Sequence, residues 1–184
     1  MEIQNLEKAT LGGGCFWCLD AIFREVSGIV SVTSGYSGGK VPGKPTYREV
    51  CSGLTGHAEV VQLAFEPVKI SYREILEIFM VIHDPTTYNR QGADIGTQYR
   101  SVVFCHDDVQ KDVAASVVAS FSKYYDFPIV TEISPLDKFY EAESYHQDYY
   151  RSNPEQGYCN YVIAPKLAKF RERYGDKLIL RDKP

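Results

Sequence analysis

The 184-residue chain lacks any apolar run near the ~18 consecutive residues that a membrane-spanning helix requires, and stretches such as Val113–Ala115 and Val117–Ala119 are short. It has little excess charge: 20 Lys and Arg against 24 Asp and Glu leave a net of −4. That balance excludes a general attraction to nucleic acid or anionic lipid. Met1–Lys8 carries neither the basic start nor the apolar block of a secretory signal, so the expected location is the cytoplasm. No repeat, low-complexity block or long charge run divides the chain, which predicts one domain over 1–184. With 44% hydrophobic and 24% charged residues, disorder is excluded as well.

Cysteine and tyrosine, by contrast, are present in unusual supply. Five cysteines (Cys15, Cys18, Cys51, Cys105 and Cys159) make an odd number in a chain large enough to fold without staples. In a reducing compartment such residues serve as buried fillers, metal ligands or catalytic thiols more often than as bridges. Seven of the aromatic residues crowd between Phe139 and Tyr161. Buried phenols pack like other aromatics and also bring a hydrogen-bond donor.

Periodicity and breakers place strands at Lys8–Gly12, Ile29–Gly35, Ala58–Phe65, Arg100–His106 and Ile129–Ile133. Helices are expected over about Phe16–Val26, after the capping box Ser71-Tyr72-Arg73-Glu74, from Asp107-Asp108 to about Tyr124, and in the basic segment Pro165–Tyr174. A Gly/Pro-rich loop, Ser37–Pro45, separates the second and third strands. The order β-α-β-β-α-β, with a further α-β and helical segments, predicts an α+β fold: a two-layer α/β sandwich on a ferredoxin-like split βαβ core, with additional helical segments at the C-terminal end.

Gly12-Gly13-Gly14-Cys15-Phe16-Trp17-Cys18 puts a thiol at a strand-to-helix turn. Free backbone N–H groups and the helix dipole there favour negative charge, so a lowered thiol pKa is expected. Cys15 and Cys18 also form a C-x-x-C pair, which is open to three readings. It fits a thioredoxin-like redox pair, half a zinc site completed by Cys51, His57 or Cys159, or a single reactive Cys15 with Cys18 packed one turn further in. In the third strand Glu59 shares a face with Val61, Leu63 and Phe65. It is either a desolvated carboxyl that stays protonated near neutral pH and acts as an acid, or a rim residue paired with a cation. Asp94 and Tyr99 lie in a polar two-glycine loop and read equally as an acceptor–donor pair or as turn chemistry. His146 reads as a helix-surface or hydrogen-bonding residue, and Cys159 follows a Pro/Gly loop, 153–157, that leaves it either mobile or buried.

Four blocks stand in consistent order: Gly14–Trp17, Gly53–Glu59, Gly96–Ser101 and His146–Tyr149. Together they resemble the A-type peptide methionine sulfoxide reductases over about Leu11–Phe170. The resemblance implies reduction of the S-epimer of methionine sulfoxide, free or in proteins, without metal or organic cofactor. Residue by residue it implies Cys15 as nucleophile and Glu59 as the acid toward the sulfoxide oxygen, with Tyr47 and Tyr99 as donors. It implies Asp94 as a residue that helps hold the site, and Phe16 and Trp17 as walls of a pocket for the methyl group. Cys159 matches the cysteine that converts a sulfenic acid on Cys15 into a disulfide. Thioredoxin or a similar dithiol would then reduce that disulfide. Many relatives carry a second recycling cysteine in a glycine-rich tail, whereas here no cysteine follows Cys159, and Cys18 and Cys51 keep a smaller claim. Two rival readings remain: a thiol–disulfide exchange protein using Cys15 and Cys18, and a zinc-stabilised binding module.

Overall fold

The computed structural model describes residues 5–179. Met1–Gln4, part of the stretch searched above for a secretory signal, lies outside the described residues. In chain order the elements are β1 (Glu7–Gly12), α1 (Phe16–Phe23), β2 (Ile29–Ser37), α2 (Tyr47–Cys51), β3 (Ala58–Phe65), α3 (Tyr72–Ile82), β4 (Arg90–Gln91), β5 (Asp94–Ile95), β6 (Val102–Cys105), α4 (Asp108–Phe121), β7 (Glu132–Pro135), β8 (Phe139–Glu141), α5 (Tyr149–Ser152) and α6 (Ala164–Arg173). No described helix is long and apolar enough to cross a membrane.

Six strands form one sheet in the order β7-β6-β1-β3-β2-β8, and β4 and β5 form a separate hairpin. The four central strands have the split βαβ arrangement: β3 lies between β1 and β2 and pairs antiparallel with both, and β6 flanks β1 on the other side. The structure is therefore of the α+β class expected, with β7 added in parallel at one edge and β8 antiparallel at the other. The face carrying Leu11, Val61, Leu63 and Phe65 is closed by α1, α3, α4 and α6 in one core. The opposite face buries a smaller cluster, Ala58, Val60, Val102 and Phe104.

Local chemistry sets the element ends. Ser71 Oγ accepts the Glu74 N–H at 3.2 Å while Glu74 Oε2 accepts the Ser71 N–H at 2.9 Å, so two N-terminal donors of α3 are satisfied reciprocally. Ile75, Leu76, Ile78 and Phe79 then present the buried stripe of that helix. Truncating Phe79 to Ala should cost about 3–5 kcal/mol in lost packing. A second capping box, Thr46 with Glu49, starts the short α2 and was not foreseen from the sequence.

Several expectations shift. α1 stops at Phe23 rather than Val26, its next turn closing through hydrogen bonds from Arg24, Glu25 and Val26 back to Asp20, Ile22 and Phe23. The strand expected at Ile129–Ile133 forms instead at Glu132–Pro135, because pairing with β6 fixes Val102 opposite Glu132. Cys159 lies in a π-helical turn, Cys159–Ile163, that leads into α6, and is wholly buried. That placement answers the question left open above in favour of burial.

Candidate active site

The glycine run ends β1 where it packs tightly against its neighbours β3 and β6. A Cβ on Gly12 would stand 2.9 Å from the Glu59 carbonyl oxygen, so only glycine allows β1 and β3 to meet there. Gly14 has φ +85°, a conformation that costs other residues strain, and its N–H donates to the Tyr99 carbonyl at 3.1 Å. This bond ties the loop before Cys15 to the 3₁₀ turn Thr97–Tyr99. Cys15 is the N-cap residue of α1, and Phe16 and Trp17 form its first turn.

Glu59 projects from β3 beneath that helix start and is 1% exposed. The Phe16 backbone N–H donates to its Oε2 at 3.0 Å. Burial, followed by the nearby Asp94 carboxylate, raises its pKa to about 8 against the pull of the Phe16 N–H and the Cys15 thiol. At neutral pH this carboxyl is mainly protonated, which decides between the two readings of Glu59 in favour of the desolvated acid.

The thiol departs from expectation. Burial pushes Cys15 well above the usual cysteine pKa, with the neighbouring Glu59 and Cys18 adding to the rise. The Trp17 N–H and the Tyr158 hydroxyl favour the thiolate, as a helix start should, but desolvation outweighs them. The expected lowered thiol pKa is thus corrected: Cys15 is a neutral thiol beside a neutral acid.

Tyr47 and Tyr99 both lie within electrostatic reach of Glu59, and for both burial followed by the Glu59 charge holds the phenol far from ionising, so each keeps its O–H as a donor. Tyr47 is the first residue of α2, and its ring stacks on Phe16 at 6.3 Å between centroids. Asp94, on β5, accepts the Tyr158 hydroxyl at 2.6 Å. Trp17 stacks on Tyr149 at 3.7 Å with an interplanar angle of 4°, and Tyr158 meets its ring edge-on. Cys15, Glu59, Tyr47, Tyr99, Asp94, Phe16 and Trp17 therefore converge, whereas Cys159 is buried in its π turn and all five cysteines are free thiols.

Three further residues border the site, of which Tyr158 and Glu143 had no role in the sequence reading and His146 takes the hydrogen-bonding role that was one of its two readings. Tyr158 stands 3.9 Å from Cys18 Sγ as well as on Asp94. His146 is not on a helix surface but fully buried, where its Nδ1 accepts the Trp17 indole N–H at 3.0 Å. Glu143 accepts the Tyr36 hydroxyl and the Tyr47 N–H. The signals for them in the chain are the aromatic crowding between Phe139 and Tyr161 and, for His146, the block His146–Tyr149. Among the described residues no group of three or more His, Cys, Asp and Glu side chains is arranged to hold a metal ion. A cavity of about 500 Å³ lined by Glu77, Phe121, Tyr124 and Arg173 lies elsewhere, between α3 and α6, and contains none of this chemistry.

The family model for peptide methionine sulfoxide reductase matches residues 7–178. The peptide methionine sulfoxide reductase MsrA of Sulfolobus acidocaldarius is 53% identical over 176 residues, covering 96% of this chain and 99% of that one. Among solved structures, reduced Mxr1 from Saccharomyces cerevisiae superposes with a TM-score of 0.80 at 38% identity, over 84% of this chain and 89% of that chain. Mxr1 in complex with Trx2 matches with a TM-score of 0.58 at 27% identity, over 80% and 87% of the two chains.

Proposed function

The chain belongs to the peptide methionine sulfoxide reductase family, an oxidoreductase acting on sulfur, and on that premise we propose that it reduces the S-epimer of methionine sulfoxide, free or in proteins, within one catalytic domain. The observation that carries the mechanism is the pairing of a buried, protonated Glu59 with a thiol at the start of α1. A sulfoxide sulfur is a poor electrophile until its oxygen is protonated or strongly hydrogen-bonded, so an acid held neutral near pH 7 is what this reaction needs.

In the proposed cycle Glu59 gives its proton to the sulfoxide oxygen as Cys15 sulfur bonds to the sulfoxide sulfur, and the thiol proton restores Glu59. Tyr47 and Tyr99 donate to the same oxygen. Phe16 and Trp17 wall the methyl group, and Asp94 helps hold the bound polar groups. Hydroxyl transfer to Cys15 releases methionine: the substrate sulfur is reduced by two electrons and Cys15 is oxidised to a sulfenic acid. The Cys159 thiol then displaces water to form a Cys15–Cys159 disulfide, which a thioredoxin-type dithiol reduces by exchange. The Mxr1–Trx2 complex among the structural neighbours supports that class of donor. Cys159 is wholly buried in this state, so in the proposed cycle its turn opens to let the disulfide close.

Separate incubation with the S- and R-epimers under dithiothreitol tests this reading. Only the S-epimer should be consumed, and without reductant a Cys159→Ser protein should release one methionine as one sulfenic acid forms on Cys15. Consumption of the R-epimer, or a first oxidation product on another cysteine, contradicts it.

A further inference from the structure

Glu143 has no part in the cycle above, yet its bonds lead to both sides of the pocket. β8 pairs with β2, and the Ala142 N–H then donates to the Ser34 carbonyl at 2.9 Å, so the chain delivers Glu143 beside the start of α2. Its Oε1 accepts the Tyr47 backbone N–H at 2.8 Å, and its Oε2 accepts the Tyr36 hydroxyl at 2.7 Å. The same Oε2 stands 3.7 Å from His146 Nε2.

His146 lies fully buried against the rings of Phe16, Trp17, Tyr47 and Tyr145. Its Nδ1 accepts the Trp17 indole N–H at 3.0 Å. A neutral imidazole can accept at Nδ1 only when its proton sits on Nε2. Nε2 has no hydrogen bond of its own, and the Glu143 carboxylate is the negative charge it faces. A separation of 3.7 Å is too long for a hydrogen bond, but in a desolvated setting it still favours the proton on that nitrogen. Burial opposes ionisation of Glu143, yet its donors hold the carboxyl below the usual range, so the charge is present at neutral pH.

We propose that Glu143 is a positioning residue whose carboxylate fixes the start of α2, and hence Tyr47, and keeps His146 in the Nε2–H tautomer that accepts from Trp17. It touches no reacting atom. The importance of Tyr47 and Trp17 to turnover rests on the function proposed above, whereas the tautomer and the indole bond do not.

Trp17 is the only tryptophan of the chain, so its indole N–H gives a single cross-peak in a ¹⁵N spectrum. Ring ¹⁵N shifts of the wild-type protein, with His146 assigned by its loss in His146→Asn, should report protonated Nε2 and bare Nδ1. In Glu143→Gln the new amide can donate to Nε2, which drives the proton to Nδ1 and sets two donors face to face. The indole peak should move to its unbonded position, and kcat/KM for methionine-S-sulfoxide under dithiothreitol should fall on the order of 10²-fold as wall and donor shift. His146→Asn keeps an acceptor near the Nδ1 position, so in that background Glu143→Gln should no longer move the indole peak.

An Nδ1–H tautomer in the wild type overturns the proposal. So does a folded Glu143→Gln protein with wild-type indole peak and kcat/KM. If Glu143→Gln fails to fold, the wild-type tautomer still decides. A wild-type protein inactive on sulfoxides would defeat the proposed function, with the spectroscopic arms still judging this one.

Discussion

The pocket has a floor, made by the β1–α1 turn and β3, and a cover, made by the chain from β8 to the π turn before α6. Each contributes one carboxyl and one thiol. On the floor, Glu59 has a single backbone donor and almost no exposure, and its pKa rises to about 8. In the cover, Glu143 collects the Tyr36 hydroxyl and the Tyr47 N–H, and its pKa falls. Two carboxyls that share the Phe16–Tyr47 neighbourhood thus hold opposite charge states, because one is desolvated without donors enough to offset it and the other is not. The thiols differ in another way. Cys15 opens a helix beside the acid, whereas Cys159 is buried under apolar packing on a turn of irregular hydrogen bonding. In the proposed cycle the floor moves protons, whereas the cover holds shapes and releases a sulfur late.

The sharpest break in this contrast is Cys15→Ser. An alcohol is too weakly acidic and nucleophilic to replace the thiol, so methionine sulfoxide reduction should vanish with every reductant. Measurable turnover would remove Cys15 from the floor chemistry. Cys159→Ser should act only on the cover: the first turnover survives, thioredoxin-supported cycling stops after one methionine per enzyme, and dithiothreitol partly rescues it. Sustained thioredoxin-driven turnover would transfer that role to Cys18 or Cys51, and peptide mapping of the oxidised wild type would show which.

Glu59→Gln should cost on the order of 10²–10⁴-fold in rate, since the amide donates a hydrogen bond but no proton. Wild-type activity should fall as pH rises through about 8, where Glu59 ionises, and the variant should lack that limb. A superimposable pH profile for the two proteins would return Glu59 to a packing role. The same carboxyl also acts on stability. The unfolded carboxyl loses its proton near 4.5 while the folded one keeps it to about 8. Through that window the folded state binds more protons, so wild-type stability falls as pH rises. Glu59→Gln escapes this loss, and thermal melts should show its advantage growing from pH 4.5 to 8 and flat on either side.

The floor was largely readable in the chain itself. Glu59 sits on the apolar face that its alternation with Val61, Leu63 and Phe65 implied, β3 spans the residues expected, and the Ser71 capping box starts α3. These are local patterns with a fixed period. The thiol pKa was misjudged because helix-start geometry can be read from Gly14-Cys15-Phe16, whereas the burial that outweighs it is a property of the whole fold. The cover was mostly illegible. Glu143, His146 and Tyr158 matter through contacts with residues 64 to 129 positions away, and no local spacing encodes those meetings. The Thr46–Glu49 capping box, by contrast, is a local pattern that the chain displays openly, Thr three residues before Glu.

The π turn at Cys159–Ile163 amounts to one residue of slack in an otherwise continuous helical path into α6. Deleting a single residue there would regularise the coil and rotate everything before it by about 100° relative to α6. Tyr158 would swing off Asp94 and Cys159 out of its apolar bed, although no side chain in the pocket had been altered. Chain length, and not only residue identity, is therefore part of what aims this sulfur.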